Sequence, residues 1–446
     1  MESQENILEW KIKSVAKSFL KDIQNENIQV ISHFDTDGIT SATIMLKALK
    51  KRDQKFSLKI VKSLTPEIIN NLNKEKITLF LDLASGSLDY IKEAGLKKAY
   101  IIDHHEVTQE IPLNVEIINP ELWEKQRISG SGLTYLFCKE MDETNKESAK
   151  LGILGMIGDQ LEKDVDKLNN GILEDGEIKR KRGLLIYPST RPLNRTLEFS
   201  SNPFIPGVTG NIEGVLELLR EAGLSPENGK YKCLIDLTEQ EMARLVTAIV
   251  LRNPEKNDKE LLGDLFLIKM FGKLEDAREL SAKINACSRD GRSDVAIQLC
   301  LESIEGKRRA ETIHVKYKQQ LISGLKIVQK IEQIKGKGFA IINATGQVKD
   351  TMIGTIISIL SNSQMHEPGT ILIGMSHNNE GQIKISARNV RRTGRNSREL
   401  LSKIMESFEG EVGGHKFAAG CTFPKEQEQE FIEELKKQFE LEVIQI

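Results

Sequence analysis

A chain of 446 residues is too long for one ordinary core and implies two or three domains. Charged residues make up 29% and apolar residues 39%, a globular composition, and a net charge of -2 announces no nucleic-acid binder, although a local basic surface fits inside a neutral total. The five cysteines, Cys138, Cys233, Cys287, Cys300 and Cys421, form no C-x-x-C pair, which argues against a zinc or iron–sulfur framework and for reduced thiols in a cytoplasmic protein.

The N-terminal MESQENILEWKIKSVAKSFL is amphipathic and lacks the apolar stretch of a signal peptide, and no 18-residue apolar run predicts a membrane span. Residues 5–24 read as a helix. NIQVISHFDTDG reads as a strand and polar turn, ITSATIMLKALKR as a helix, KFSLKIVKS as a strand and PEIINNLNK as a helix. ITLFLDLAS, AYIIDHHE and VEIINP are further strands, with the helical LDYIKEAGL between the first two. This alternation predicts an α/β fold with a mostly parallel, five-stranded-type sheet and helices on both faces. After SGSG at 129–132, LTYLFCKEM and KLGILGMIGDQLEKDV are helical, with Asp159 in the middle of the second. Residues 165–290 carry helical patterns with polar breaks, and 293–335 reads as a long helical stretch. GFAIINATG, TILIGMSHNNEG and QIKISARNV are strands again, with a hairpin turn at NNEG.

Three of the early strands end in metal-binding chemistry. In the extended stretch 33–37, His33, Asp35 and Asp37 share one side. Asp82 follows LFL, and Asp103, His104 and His105 follow YII. The carboxyl ends of neighbouring strands in an open α/β sheet meet at one crevice, so these residues converge, with Asp159 as a later addition. Taken singly, each has an ordinary explanation: strand-end aspartates cap helices, Asp103 orients an imidazole, and Asp159 is a surface acid. Together, four carboxylates and two or three imidazoles without a thiol suit Mn²⁺ or Mg²⁺ and not structural zinc. They exceed the needs of one ion. A pair of ions sharing carboxylates uses them all and serves hydrolysis of a phosphate ester or anhydride.

The strongest nucleic-acid signal is RNVRRTGRNSR at 388–398, which holds Arg388, Arg391, Arg392, Arg395 and Arg398 without an acid. Guanidinium groups suit bidentate phosphate contacts, and Arg388, where the strand KISA ends, is the best placed. Gly413 and Gly414 leave amides exposed to an anion, and His415 can donate to phosphate. Ser129 and Ser131 with their glycines read as a helix start whose amides bind phosphate near the metals. KRKR at 179–182 reads mainly as surface, and Arg191 and Arg195 as residues lining an opening. Aromatic residues, 5% of the chain, do not support a base-stacking platform, so Phe417 and Tyr187 read as core.

The motifs HFDTDG at 33–38, LDLASG at 81–86, DHH at 103–105 and MIGD at 156–159, with GGHKFAAG at 413–420, resemble those of the DHH phosphoesterase superfamily in its branch with a DHHA1 domain. Within that branch the chain looks like the archaeal RecJ-like exonucleases, which TRPLNRTLEFSSNPFIPG at 190–207 also resembles. The resemblance implies a catalytic DHH domain over 1–310, including a largely helical region at about 165–290, a connector helix over 311–335, and a smaller α/β DHHA1 domain over 336–446 across a cleft. It implies His33, Asp35, Asp37, Asp82, His104 and Asp159 as ligands of two Mn²⁺, with Mg²⁺ the alternative, Asp82 and Asp159 being shared. Asp82, Asp103 and His105 would be catalytic, with Asp103 orienting and His105 facing the scissile phosphate, and Arg388 and His415 would touch substrate phosphate. The implied activity is removal of mononucleotides from single-stranded DNA or RNA in replication or repair, with a GINS-type replication complex or a repair helicase as protein partner. The alternatives are an oligonucleotide or cyclic-dinucleotide phosphodiesterase, and a replisome scaffold with secondary nuclease activity. The ligand set carries no polarity, because relatives of both directions share it.

Overall fold

The computed structural model describes residues 7–24, 26–123, 126–163, 165–200, 203, 205–252, 261–362, 365–378 and 380–441. Residues 5 and 6 of the expected first helix, 201, 202 and 204 of the 190–207 segment, and 379 of the NNEG turn lie outside the described residues. The chain divides into two compact units, 1–200 with 206–315, and 201–205 with 316–446.

The first unit is built on β1 (Ile28–His33), β2 (Phe56–Val61), β3 (Ile77–Leu81), β4 (Lys98–Ile102) and β5 (Val115–Ile118), all parallel, in the order β2-β1-β3-β4-β5. Central β3 (ITLFL) is buried along its length, as a parallel strand covered on both faces must be, whereas edge strand β2 alternates. The helices are α1 (Ile7–Asp22), α2 (Thr36–Lys51), α3 (Pro66–Asn70), α4 (Leu88–Ala94), α5 (Gly130–Met141) and α6 (Ala149–Gly158). Val30, Leu79 and Tyr100 pack under α1, α2, α5 and α6, while Ile31, Phe80 and Ile101 pack under α3 and α4. The strand order reverses at β1, so a crevice opens at the carboxyl ends of β1 and β3.

Further along come α7 (Lys167–Asp175), β6 (Lys179–Leu184), α8 (Leu193–Glu198), α9 (Ile212–Glu221), α10 (Glu239–Arg252), β7 (Leu262–Met270), β8 (Lys273–Asp276), α11 (Ala277–Arg289), α12 (Ser293–Cys300) and α13 (Ile304–Val328). The region read as largely helical therefore also holds an antiparallel sheet, β6-β7-β8. Its edge strand β6 is KRKRGL with four exposed charged residues, so no apolar alternation announced it; charge on an edge discourages pairing with other chains. α11 packs on the core that α2 and α6 share, through Ala277, Leu280 and Ile284.

In the second unit β9 (Ile334–Gly336), β10 (Phe339–Asn343), β11 (Ile371–His377), β12 (Gln382–Asn389), β13 (Glu411–His415) and β14 (Ala418–Pro424) form a sheet ordered β13-β14-β12-β11-β10-β9, in which only β10 and β11 pair in parallel. α14 (Asp350–Ser361) covers one face, and α15 (Ser397–Met405) and α16 (Glu428–Leu441) the other. β10, β11 and β12 are the strands expected from sequence. β13 and β14 were not expected as strands, since Gly-Gly and Ala-Ala-Gly have low strand propensity; the ladders of β14 with β12 and of β13 with β14 hold them extended. Among the described residues no helix is long and apolar enough to cross a membrane.

Candidate metal centre

Each acidic residue at the crevice is aimed by its local backbone. β1 ends at His33, and Asp35 is the N-cap of α2, accepting from the Gly38 amide at 3.0 Å, which leaves Asp37 in the first helical turn. Asp82 follows β3 with φ 58°, and its amide donates to Ile102 at 2.8 Å. A left-handed backbone costs a non-glycine residue about 1 kcal/mol; here it turns the carboxylate off the strand line. Asp159 is the C-cap of α6, its amide donating to Gly155 at 3.0 Å, and so ends the helix where the sequence pattern placed it mid-helix. Gln160, with φ 60°, breaks the helical path.

These elements bring the six expected ligands together. His33 Nδ1 lies 3.1 Å from Asp35 Oδ2 and 3.5 Å from Asp82 Oδ2. His104 Nε2 lies 3.2 Å from Asp159 Oδ2, 3.3 Å from Asp82 Oδ1 and 3.8 Å from Asp37 Oδ2. In three overlapping groups, His33–Asp35–Asp82, Asp37–His104–Asp159 and Asp82–His104–His105, the ligand atoms lie within 4.8 Å of one another. Although the imidazoles are near, both Asp82 oxygens and Asp159 Oδ2 are buried with no hydrogen-bond partner. Burial first, then the Asp37 carboxylate, pushes the carboxyls of Asp82 and Asp159 well above the usual range. Buried acids that repel one another, with acceptor atoms that make no hydrogen bond to the imidazoles beside them, suit a countercharge between them. Oxygen and imidazole donors without thiolate fit Mn²⁺ or Mg²⁺.

The DHH tripeptide divides its work. His105 Nδ1 donates to Asp103 Oδ1 at 2.7 Å, and Asp103 also accepts from the His104 amide at 2.8 Å and the Ser85 amide at 2.9 Å. Burial is the largest single influence on Asp103 and opposes its ionisation, but the hydrogen bond and charge of His105, the charge of His104 and the Ser85 hydrogen bond together outweigh it and hold the carboxyl far below the usual range. The His105 side chain keeps 48% exposure, whereas Asp103 has none. Two residues that sequence reasoning missed support this pair. Asn119 Nδ2 donates to Ser85 Oγ and to the His105 carbonyl, both at 2.8 Å. Asn119 directly after β5 and Ser85 in the turn four residues past β3 were the available signals, and Ser and Asn at such places have too many other uses to stand out.

The expectation for Ser129 and Ser131 is corrected. Both are fully buried. The Gly130 and Ser131 amides donate to Asp37, at 2.6 and 2.9 Å. Ser129 Oγ caps the Gly132 amide at 3.2 Å and lies 3.0 Å from Ser131 Oγ, which donates to the Gly152 carbonyl at 3.1 Å. The helix start thus binds an anion, but the anion is the protein's own Asp37, and no amide is left over for phosphate.

In the second unit, β12, β14 and β13 pair in register so that Arg388 and His415 both face Ala418. They flank it from either side, roughly 10 Å apart at standard strand spacing. Arg388 Nη1 donates to the Ala387 and Ala419 carbonyls at 2.8 and 3.2 Å. Gly413 and Gly414 are exposed on β13. A Cβ at Gly414 would lie 2.4 Å from the Ala418 carbonyl oxygen, so no side chain fits there. Arg391 and Arg392 are exposed in a tight turn after β12, with φ 58° and 52°. Asn389 pins that turn, donating to the carbonyls of Thr393 at 2.9 Å and Arg395 at 2.8 Å. Tyr187 and Phe417 are partly buried.

Family models match most of the chain: the DHH family, N-terminal domain, over residues 27–156, the DHH-CID domain over 186–260, and the DHHA1 domain over 337–441. An uncharacterized protein of Methanocaldococcus jannaschii is 29% identical over 450 residues, 95% of this chain and 96% of its own length. The single-stranded-DNA-specific exonuclease RecJ of Bacillus subtilis is 25% identical over 428 residues, 90% of this chain, which spans only 44% of that relative. RecJ of Thermus thermophilus in complex with Mn²⁺ superposes over 96% of this chain and 54% of its own, with TM-score 0.59 and 15% identity. CDC45 of Entamoeba histolytica does so over 96% and 99%, with TM-score 0.69 and 11% identity. At these identities the two structures share the fold.

Proposed function

The chain belongs to the DHH/DHHA1 superfamily and has its metal-binding phosphoesterase fold, and from that premise we propose that it is a two-ion exonuclease acting on single-stranded nucleic acid. The observation that carries the reading is Asp82: a buried carboxylate, turned into the crevice by a left-handed backbone, facing two imidazoles and accepting no hydrogen bond. His33, Asp35, Asp37, Asp82, His104 and Asp159 would hold two Mn²⁺ or Mg²⁺, with Asp82 and Asp159 shared. Divalent ions bound there would acidify a water and neutralise charge on the reacting phosphate.

The chain's own residues do the rest. The Gly130 and Ser131 amides fix Asp37. Asp103 fixes His105 through Nδ1, leaving Nε2 to donate to a phosphate oxygen of the substrate. Arg388, Arg391, Arg392 and His415, with the amides beside Gly413 and Gly414, would hold strand phosphates. The arginine-rich turn supports a polymeric substrate over a small one, and the name of the Bacillus subtilis relative supports single strands.

Incubation of single-stranded DNA and RNA, labelled at either end, with the protein and Mn²⁺ tests this. Stepwise shortening to mononucleotides is expected, with the labelled end giving polarity. Internal cuts would reject an exonuclease. Turnover confined to dinucleotides or cyclic dinucleotides would establish the small-substrate alternative.

A further inference from the structure

We infer that Arg191 is a phosphate-binding residue of the first unit and that the buried pair Glu279–Lys283 positions it; the inference rests on the nucleic-acid reading above. The segment around Arg191 is anchored to the start of α11. The Ser189 amide donates to Asp276 Oδ2 at 2.7 Å, and Arg191 Nη2 lies 2.6 Å from Glu279 Oε1. Lys283 Nζ is 3.3 Å from the same Glu279 oxygen and 3.5 Å from Glu311 Oε1 on α13. The side chains of Glu279 and Lys283 are 4% and 1% exposed. A buried ion pair contributes little to stability and often costs some, so stability does not account for it.

Charge sharing gives it a use. If Arg191 faced Glu279 alone, the carboxylate would cancel the guanidinium. With Lys283 drawing on the same oxygen, the three groups carry one net positive charge, and Glu311, 41% exposed, is screened by water. The Arg191 side chain is 49% exposed, so its planar fork still offers donors and field to an anion. Location supplies the anion. Two residues beyond Glu279 on α11, the Ser281 carbonyl accepts from Thr36 Oγ1 at 3.1 Å, and Thr36 stands between Asp35 and Asp37. Two helical residues span about 3 Å, so side-chain lengths place the guanidinium within roughly 15 Å of the metal-site acids. That is a few nucleotides of backbone from a phosphate held at the cluster.

The test measures binding of a fluorescent single-stranded oligonucleotide at several salt concentrations without divalent ions, and hydrolysis of the same strand with Mn²⁺. Arg191→Ala is expected to weaken binding about tenfold and to reduce the salt slope by about 0.7, the value of one phosphate contact on a single strand, and to raise KM for hydrolysis of the same strand. Arg191→Lys should recover part of the loss. Lys283→Met, which touches no substrate, should also weaken binding, because Glu279 then neutralises Arg191. Arg191→Ala with wild-type affinity and salt slope overturns the inference and leaves the exonuclease reading intact. Wild-type protein that neither binds nor cuts the strand defeats the reading itself.

Discussion

Asp103 gives both carboxylate oxygens to backbone amides and His105, so its charge acts mainly on one imidazole. Asp103→Asn should lower kcat about 10–100-fold, the usual cost of losing a group that orients a reacting residue, while Mn²⁺ affinity changes little; a large fall in Mn²⁺ affinity would place Asp103 among the ligands instead. The thiols make a separate residue-scale case. Cys138, Cys287, Cys300 and Cys421 are buried, and burial pushes the last three up to about 12, whereas Cys233 is partly exposed. At pH 8 a thiol reagent should modify one cysteine in the native protein and five after denaturation. Two or more reacting at once would contradict that burial. Of the six residues gathered at the crevice, His33, Asp35, Asp37, Asp82 and His104 were legible in sequence because apolar strands give way there to charge, whereas Asp159, read as mid-helix, was carried by the MIGD motif. Asn119 and Ser85 were not, since their roles depend on a partner 34 positions away.

At the scale of elements, close helix approach sets the position of Asp37. A Cβ at Gly155 on α6 would sit 1.9 Å from Ser131 Oγ on α5 and 2.1 Å from Asp37 Oδ1 on α2. Gly155→Ala is expected to destabilise the fold by about 1–3 kcal/mol and to weaken Mn²⁺ binding. Gly171→Ala on α7, where an added Cβ meets nothing within 4 Å, should stabilise by about 0.5–1 kcal/mol and leave binding alone. Denaturant midpoints and metal titrations of the two variants check the contrast. α5 and α7 are also tied through Asp175, which accepts from Tyr135 and Lys139, both at 2.6 Å, and pairs with Lys146 at 2.9 Å. Burial raises its carboxyl, but the hydrogen bonds of Lys139, Tyr135 and Lys146 outweigh that and bring it down to about 2. A depressed carboxyl contributes stability above its unfolded value, near 4, and loses it as pH falls toward 2. The stability gap between wild type and Asp175→Asn should therefore narrow from pH 5 to pH 2, by on the order of 1 kcal/mol after screening by nearby water. A gap that stays constant would count against the network. Strand periodicity revealed β1 to β5 and β10 to β12; the edge strand β6 is charged and β13 is built on Gly-Gly, so neither reads as an alternating strand, while β14 does alternate, with Ala419, Cys421 and Phe423 inside, but its small residues mute the contrast.

Across the whole molecule, a net charge of -2 concealed two local concentrations of opposite sign: acids gathered at the β1–β3 crevice of the first unit and arginines following β12 in the second. Composition averages them away, and only strand-end position and motif spacing separate them. On the proposed function, hydrolysis of a nucleic-acid strand requires divalent ions in the acidic crevice. The most direct measurement is nucleotide release from an end-labelled single strand by protein stripped with chelator, before and after Mn²⁺ is returned, for wild type and Asp82→Asn. Release absent in the stripped protein, restored by Mn²⁺ in wild type and not restored in the variant is the predicted result. Release that persists without metal, or an Asp82→Asn variant as active as wild type, would contradict it.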